Sequence, residues 1–136
     1  MTFVLVWPDA GQADSTVQAL LADFTDDVLV ATWDPGAVDR GRTTLLNSVR
    51  DAREALVDRG TDPDTLMLIG YGRGAVAAAG LARYAKRLGI GLGRVIAVAG
   101  TWNEPDPFSG SPLEEVPERV ELVPENYLLA TTLRRT

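Results

Sequence analysis

The feature that most narrows the fold of this 136-residue chain is a regular alternation of short apolar runs with helical periodicity. Phe3-Val4-Leu5-Val6-Trp7 has no polar interruption and is stopped by Pro8, so it reads as a strand buried on both faces. The turn Asp9-Ala10-Gly11 follows. A helix then opens on a capping box, Ser15 with Gln18, and sets Val17, Leu20, Leu21 and Phe24 on one face. Val28 to Thr32 is a second strand, broken by Trp33-Asp34-Pro35-Gly36. Thr43 or Thr44 caps a second helix, whose core stripe is Leu45, Val49, Ala52 and Leu56 and whose exit is Gly60. Asp62-Pro63-Asp64 turns the chain into a third strand, Thr65 to Ile69. The glycine turn Gly70-Tyr71-Gly72-Arg73-Gly74 leads into a helix of small residues, Ala75 to Leu88, ending at Gly89. Arg94 to Ala99 forms a fourth strand and Arg119 to Val123 a weaker fifth.

Strands that are apolar throughout, joined by helical crossovers, predict an α/β fold spanning residues 1–136 as one domain. The right-handed crossover rule makes it an open, doubly wound, five-stranded parallel sheet in the order 2-1-3-4-5, with helices on both faces in three α/β/α layers. One segment breaks the pattern. Residues 100–118 form a long irregular loop, with four prolines between Gly100 and Pro117, and are expected to face a partner or a function. The tail, residues 126–136, reads equally as a short helix or an extended arm.

Composition then limits the chemistry. The chain has no histidine and no cysteine, which removes Ser-His-Asp and Cys-His catalysis, His-ligated metals, thiolate sites and disulfides. A net charge of −6 argues against binding a phosphate backbone, so no nucleic-acid partner is expected. No run approaches the ~20 apolar residues of a membrane span, and Met1-Thr2-Phe3 lacks the basic start of a signal peptide. A cytoplasmic site of synthesis and no membrane partner are therefore expected. Twelve arginines against the single Lys86 match the codon bias of a GC-rich genome, such as that of an actinobacterium or its phage.

The turn from Gly70 to Gly74 sits between a buried strand and an alanine-rich helix, with glycines at both ends. In this it resembles the nucleophile elbow, G-x-S-x-G, of the α/β-hydrolase superfamily, and the string Gly-Tyr-x-x-Gly-Ala is similar to that of cutinase-like and phage lysin B-like esterases. Trp7-Pro8-Asp9-Ala10-Gly11 stands where that family places its first oxyanion loop, so Asp9, Ala10 and Gly11 are its candidate remnant. The similarity extends over residues 1–105. The nucleophile position, however, holds Gly72, and Glu104, Asp106 and Glu125 have no imidazole to orient. The resemblance thus implies a reduced hydrolase-like fold without catalytic residues. It suggests a binding, structural or assembly role, with a virion component as one setting.

Two other readings are carried alongside. A small hydrolase with unusual chemistry would need a ligand-sized pocket at Gly70 to Gly74. A nucleotide-binding protein would use Gly70, Gly72 and Ala75 as G-x-G-x-x-A, with Arg73 near the phosphates, although Ala99-Gly100-Thr101 lacks the usual ribose-binding carboxylate. The acids Asp9, Asp34, Glu104 and Asp106 match no calcium-loop spacing, and neither a metal nor a cofactor is expected. The strand ends carry Trp7, Trp33, Tyr71 and Trp102, which read either as core over the sheet's upper edge or as a docking patch or pocket. A protein partner or self-assembly is expected, with a small-molecule ligand left open.

Overall fold

In a computed structural model, the structure describes residues 3–9, 27–34, 38–125 and 131–132. Five strands form one sheet: β1 (Phe3–Trp7), β2 (Asp27–Val30), β3 (Met67–Tyr71), β4 (Val95–Val98) and β5 (Val120–Val123). Every neighbouring pair is parallel, and the order is β2-β1-β3-β4-β5, as the strand–helix alternation requires. Two helices are described, α1 (Val38–Asp58) and α2 (Arg73–Leu88). The helix expected from Ser15 to Phe24 lies outside the described residues, as does most of the tail.

Strand parity divides the core in two. Leu5, Trp7, Leu68, Val95, Ala97 and Val120 point to one face, where Leu45, Val49, Ala52 and Leu56 of α1 and the alanines of α2 pack on them. Val4, Val6, Ile69, Tyr71, Ile96, Val98 and Val123 point to the other and are buried just as deeply. This two-sided burial explains why no strand shows polar alternation.

Local turn chemistry moves several expected boundaries. The third strand begins at Met67, not Thr65, because Pro63–Thr65 form a short 3-10 turn. Asp62 caps that turn through the Asp64 N–H (2.9 Å), and the Thr65 hydroxyl donates to the Asp62 carbonyl (2.6 Å). The second strand is Asp27–Val30 instead of 28–32, although the Ala31 N–H still reaches the Val6 carbonyl at 3.0 Å. The fourth and fifth strands are each trimmed to four residues. The helix expected to start at Thr43 or Thr44 begins at Val38. Thr43 is no cap, because its hydroxyl donates to the carbonyl of Asp39 one turn back (3.0 Å), as threonines inside helices do. The second described helix begins at Arg73, ahead of the expected Ala75.

No helix makes the β4–β5 connection. The loop from Gly100 to Glu118 is tied by bonds from the Asp106 N–H to the Ser111 carbonyl (3.0 Å) and from the Gly110 N–H to the Asp106 carbonyl (2.7 Å). It lays Phe108 beside Trp7 and Tyr84, with ring centroids 6.3 and 6.5 Å apart. Leu113 and Val116 pack on the same core, so the loop takes part of a helix's covering role.

The tightest packing is backbone against backbone. A Cβ on Gly70 would meet the carbonyl of Gly74 and stand 2.7 Å from the amide nitrogen of Ala75, so the first turn of α2 rests directly on β3. A Cβ on Gly74 would run into the Trp7 carbonyl and lie 3.0 Å from that of Pro8. No side chain can give way at either point. Gly70→Ala is therefore expected to cost about 3 kcal/mol or more, at the top of the overpacking range, lowering the thermal midpoint by ~10 °C. Gly60→Ala, in open space at φ 71°, should cost only the left-handed penalty of ~1–2 kcal/mol. Thermal melts of the two variants check the contrast.

Candidate functional site

The glycine turn lies at the carboxyl edge of the sheet, where doubly wound folds place their ligands. Trp7 is in register with Gly70, so two residues further along each strand Asp9 comes beside Gly72. Gly72 has φ 56° and ψ −113°, the first central position of a type II′ turn, as a strained elbow predicts. Glycine holds this conformation without the clash a Cβ would bring. The Gly72 N–H donates to Val98 of β4 (2.9 Å), and its carbonyl accepts from Ala75 (3.2 Å) and, more weakly, from Val76 and Thr101 (both 3.4 Å). The elbow is thereby held from the strand, the helix and the following loop together.

The space that a side chain at position 72 would enter is already filled. A Cβ there would collide with the carboxylate of Asp9 and stand 3.0 Å from the Asp9 Cβ. The same carboxylate accepts the Arg73 N–H at 3.2 Å. Gly72 has no side chain to cap α2, so Asp9 supplies a cap from the neighbouring strand, its charge set at the positive end of a sixteen-residue helix. Arg73 reaches back toward Glu104, 4.0 Å away, in a half-exposed pair that contributes little. Ala10 and Gly11, the other expected oxyanion-loop residues, lie outside the described residues.

The four aromatic residues do not form one cluster, which corrects the expectation. Gly70 is in register with Trp7, so Tyr71, one residue on, points to the opposite face of the sheet. Trp7 is wholly buried, its Nε1–H donating to the Ser48 hydroxyl (2.9 Å), which donates in turn to the Leu45 carbonyl (2.6 Å). Trp33 and Trp102, in the loops after β2 and β4, are partly buried and pack against the same core cluster as Trp7, so Tyr71 is the one set apart. Burial pushes the Tyr71 phenol far above its ordinary value, and among the described residues its hydroxyl has no hydrogen-bond partner.

The expected acids are dispersed as well. Asp106 is completely buried beneath its loop, accepting the Phe108 N–H at 3.1 Å, whereas Glu125 is exposed. Among the described residues no three carboxylates gather into a metal site. The capping role of Asp9 was missed from sequence, because it depends on the register that sets Trp7 beside Gly70.

No family model matches the chain, and no curated protein matches it. A solved structure described as RedJ with a PEG molecule bound in the active site is similar over 73% of this chain, at 22% identity and a TM-score of 0.43. The chain spans 43% of the length of that structure's chain.

Removing the cap by Asp9→Ala is expected to cost ~1 kcal/mol, and Asp9→Asn, which keeps an acceptor oxygen, about half as much. Urea denaturation measures both. Desolvation raises the pKa of Asp106, against opposing contributions from the Phe108 and Ser109 hydrogen bonds and the nearby Arg83. A carboxyl that holds its proton more tightly when folded adds stability that is complete below ~pH 4 and is lost as pH rises through the raised value. The urea midpoint should therefore fall more steeply upward from ~pH 4 in the parent protein than in Asp106→Asn.

Proposed function

We propose that this chain is a catalytically silent, α/β-hydrolase-like protein that works as a binding or assembly module. The observation that carries this reading is the Asp9 carboxylate at the elbow. In a working elbow, the residue on the II′ turn presents a nucleophile, and the following backbone N–H stabilises the oxyanion. Here that residue is Gly72, and the N–H of Arg73 is taken by Asp9. A fixed negative charge at this point opposes the negative charge that develops in acyl transfer. It likewise opposes a pyrophosphate at the start of α2, which weighs against the nucleotide-binding alternative. The positive φ at Gly72 favours the elbow over a dinucleotide turn. The missing base strengthens the reading, since no histidine exists in the chain to activate a restored serine.

A binding or assembly role fits an elbow whose oxyanion position is filled by the chain's own Asp9 carboxylate. The test compares the parent protein, Gly72→Ser, and Gly72→Ser combined with Asp9→Ala, using a fluorophosphonate probe and a short activated ester. The parent protein should not label. Gly72→Ser should label slowly at most, and the double variant faster, because the carboxylate has been cleared from the hole. Stoichiometric labelling of the parent, or ester turnover at ordinary enzyme rates of ~1–10³ s⁻¹, would overturn the proposal. Light scattering on the native protein, with identification of what co-purifies, then tests the assembly half.

A further inference from the structure

A cleft of about 430 Å³ opens at the carboxyl end of β2, against the first turns of α1, with Pro8 between its Trp33 wall and Gly74 of the elbow. It is lined by Thr32, Trp33, Asp34, Arg40, Gly41 and Thr44. We propose that this cleft binds a small neutral polyhydroxylated ligand, a saccharide of one or two rings.

The first support is that its aromatic wall is built and held. The Trp33 Nε1–H donates to the Pro8 carbonyl at 3.1 Å, which fixes the rotation of the indole. The six-membered ring of the indole lies against Gly41, 3.3 and 3.8 Å from where a Cβ would stand, and the Asp34 carbonyl is 3.0 Å from the same point. Gly41 sits inside α1 without a positive φ, so no turn requires it there. A glycine within a helix costs ~1 kcal/mol relative to alanine, and here it keeps the seat of Trp33 clear. An indole fixed in this way offers apolar, π-rich surface at little entropic cost on binding.

The second support is the polar lining. Arg40 brings planar N–H donors, and Thr32 and Thr44 bring hydroxyls that donate and accept. A guanidinium and a carboxylate in one cleft balance in charge, which disfavours a strongly anionic or cationic ligand. The guanidinium and the two hydroxyls suit the mixed donor and acceptor pattern of neighbouring sugar hydroxyls. The volume lies within the range of small-ligand sites.

The experiment is calorimetric titration of the full chain with maltose, cellobiose and N,N′-diacetylchitobiose, with inorganic phosphate as the contrasting probe. At least one disaccharide should bind saturably. Arg40→Ala, an exposed change on α1, should weaken that binding ~10-fold or more while leaving the melting temperature in place. Gly41→Ala should weaken it too, by displacing the indole. Asp9→Ala should leave it intact, which separates this site from the elbow. Absence of saturable binding for all three sugars, unchanged affinity in Arg40→Ala, or preferential binding of phosphate would each overturn the proposal.

Discussion

The structure depends on one close approach: the backbone of α2 rests on β3 at Gly70 and on the end of β1 at Gly74. Much else follows from it. A helix held that near a sheet favours small side chains, and eight of the ten buried residues of α2 are glycine or alanine, Val76 and Leu81 being the exceptions. A strand that must enter such a helix within three residues needs a sharp reversal, which the II′ conformation at Gly72 provides. The same approach brings the residue after Pro8 against the start of the helix, so the local packing and the position of Asp9 share one cause.

That geometry is the one in which a side chain on the turn would be most exposed for chemistry, and here it carries none. The unpaired N–H groups at the start of a helix must still be satisfied. With no side chain at Gly72, the neighbouring strand supplies the acceptor. The carboxylate therefore satisfies the Arg73 N–H and fills the space beside Gly72 in one contact. On the reading we propose, an elbow that had lost only its serine would leave a small hole and a free N–H. The Asp9 contact leaves neither, and for this reason it supports a binding or assembly reading more strongly than the missing residues alone.

The sheet order, the parallel pairing, the exit of α2 at Gly89 and the positive φ at Gly72 were all legible in the sequence, because each rests on a local rule of periodicity, capping or glycine conformation. The points that went astray rest on tertiary facts. Threonine is a common cap, yet the Thr43 hydroxyl bonds backward to Asp39 within a helix that already begins at Val38. The aromatic residues look like a single set because all four stand at strand ends. Pleat parity and register still send Trp7 and Tyr71 to opposite faces. Asp9 reads as ordinary turn chemistry until the pairing of β1 with β3 is fixed.

A helical glycine with no turn to make proves the most informative residue type left over. In α1, Gly41 leaves room for the indole of Trp33, and in α2, Gly80 leaves room for Asp106, whose Oδ2 would lie 2.8 Å from an added Cβ. The first contact holds an aromatic ring at the edge of a cleft. The second anchors the loop that crosses from β4 to β5, with a carboxyl oxygen buried and, among the described residues, unpartnered. Each glycine gives up helix stability of ~1 kcal/mol, and each admits a group that no regular helix packing would require. Such groups are where this fold departs from an idealised doubly wound sheet. Functional pressure on the chain is best sought at those two contacts and at the elbow closed by Asp9.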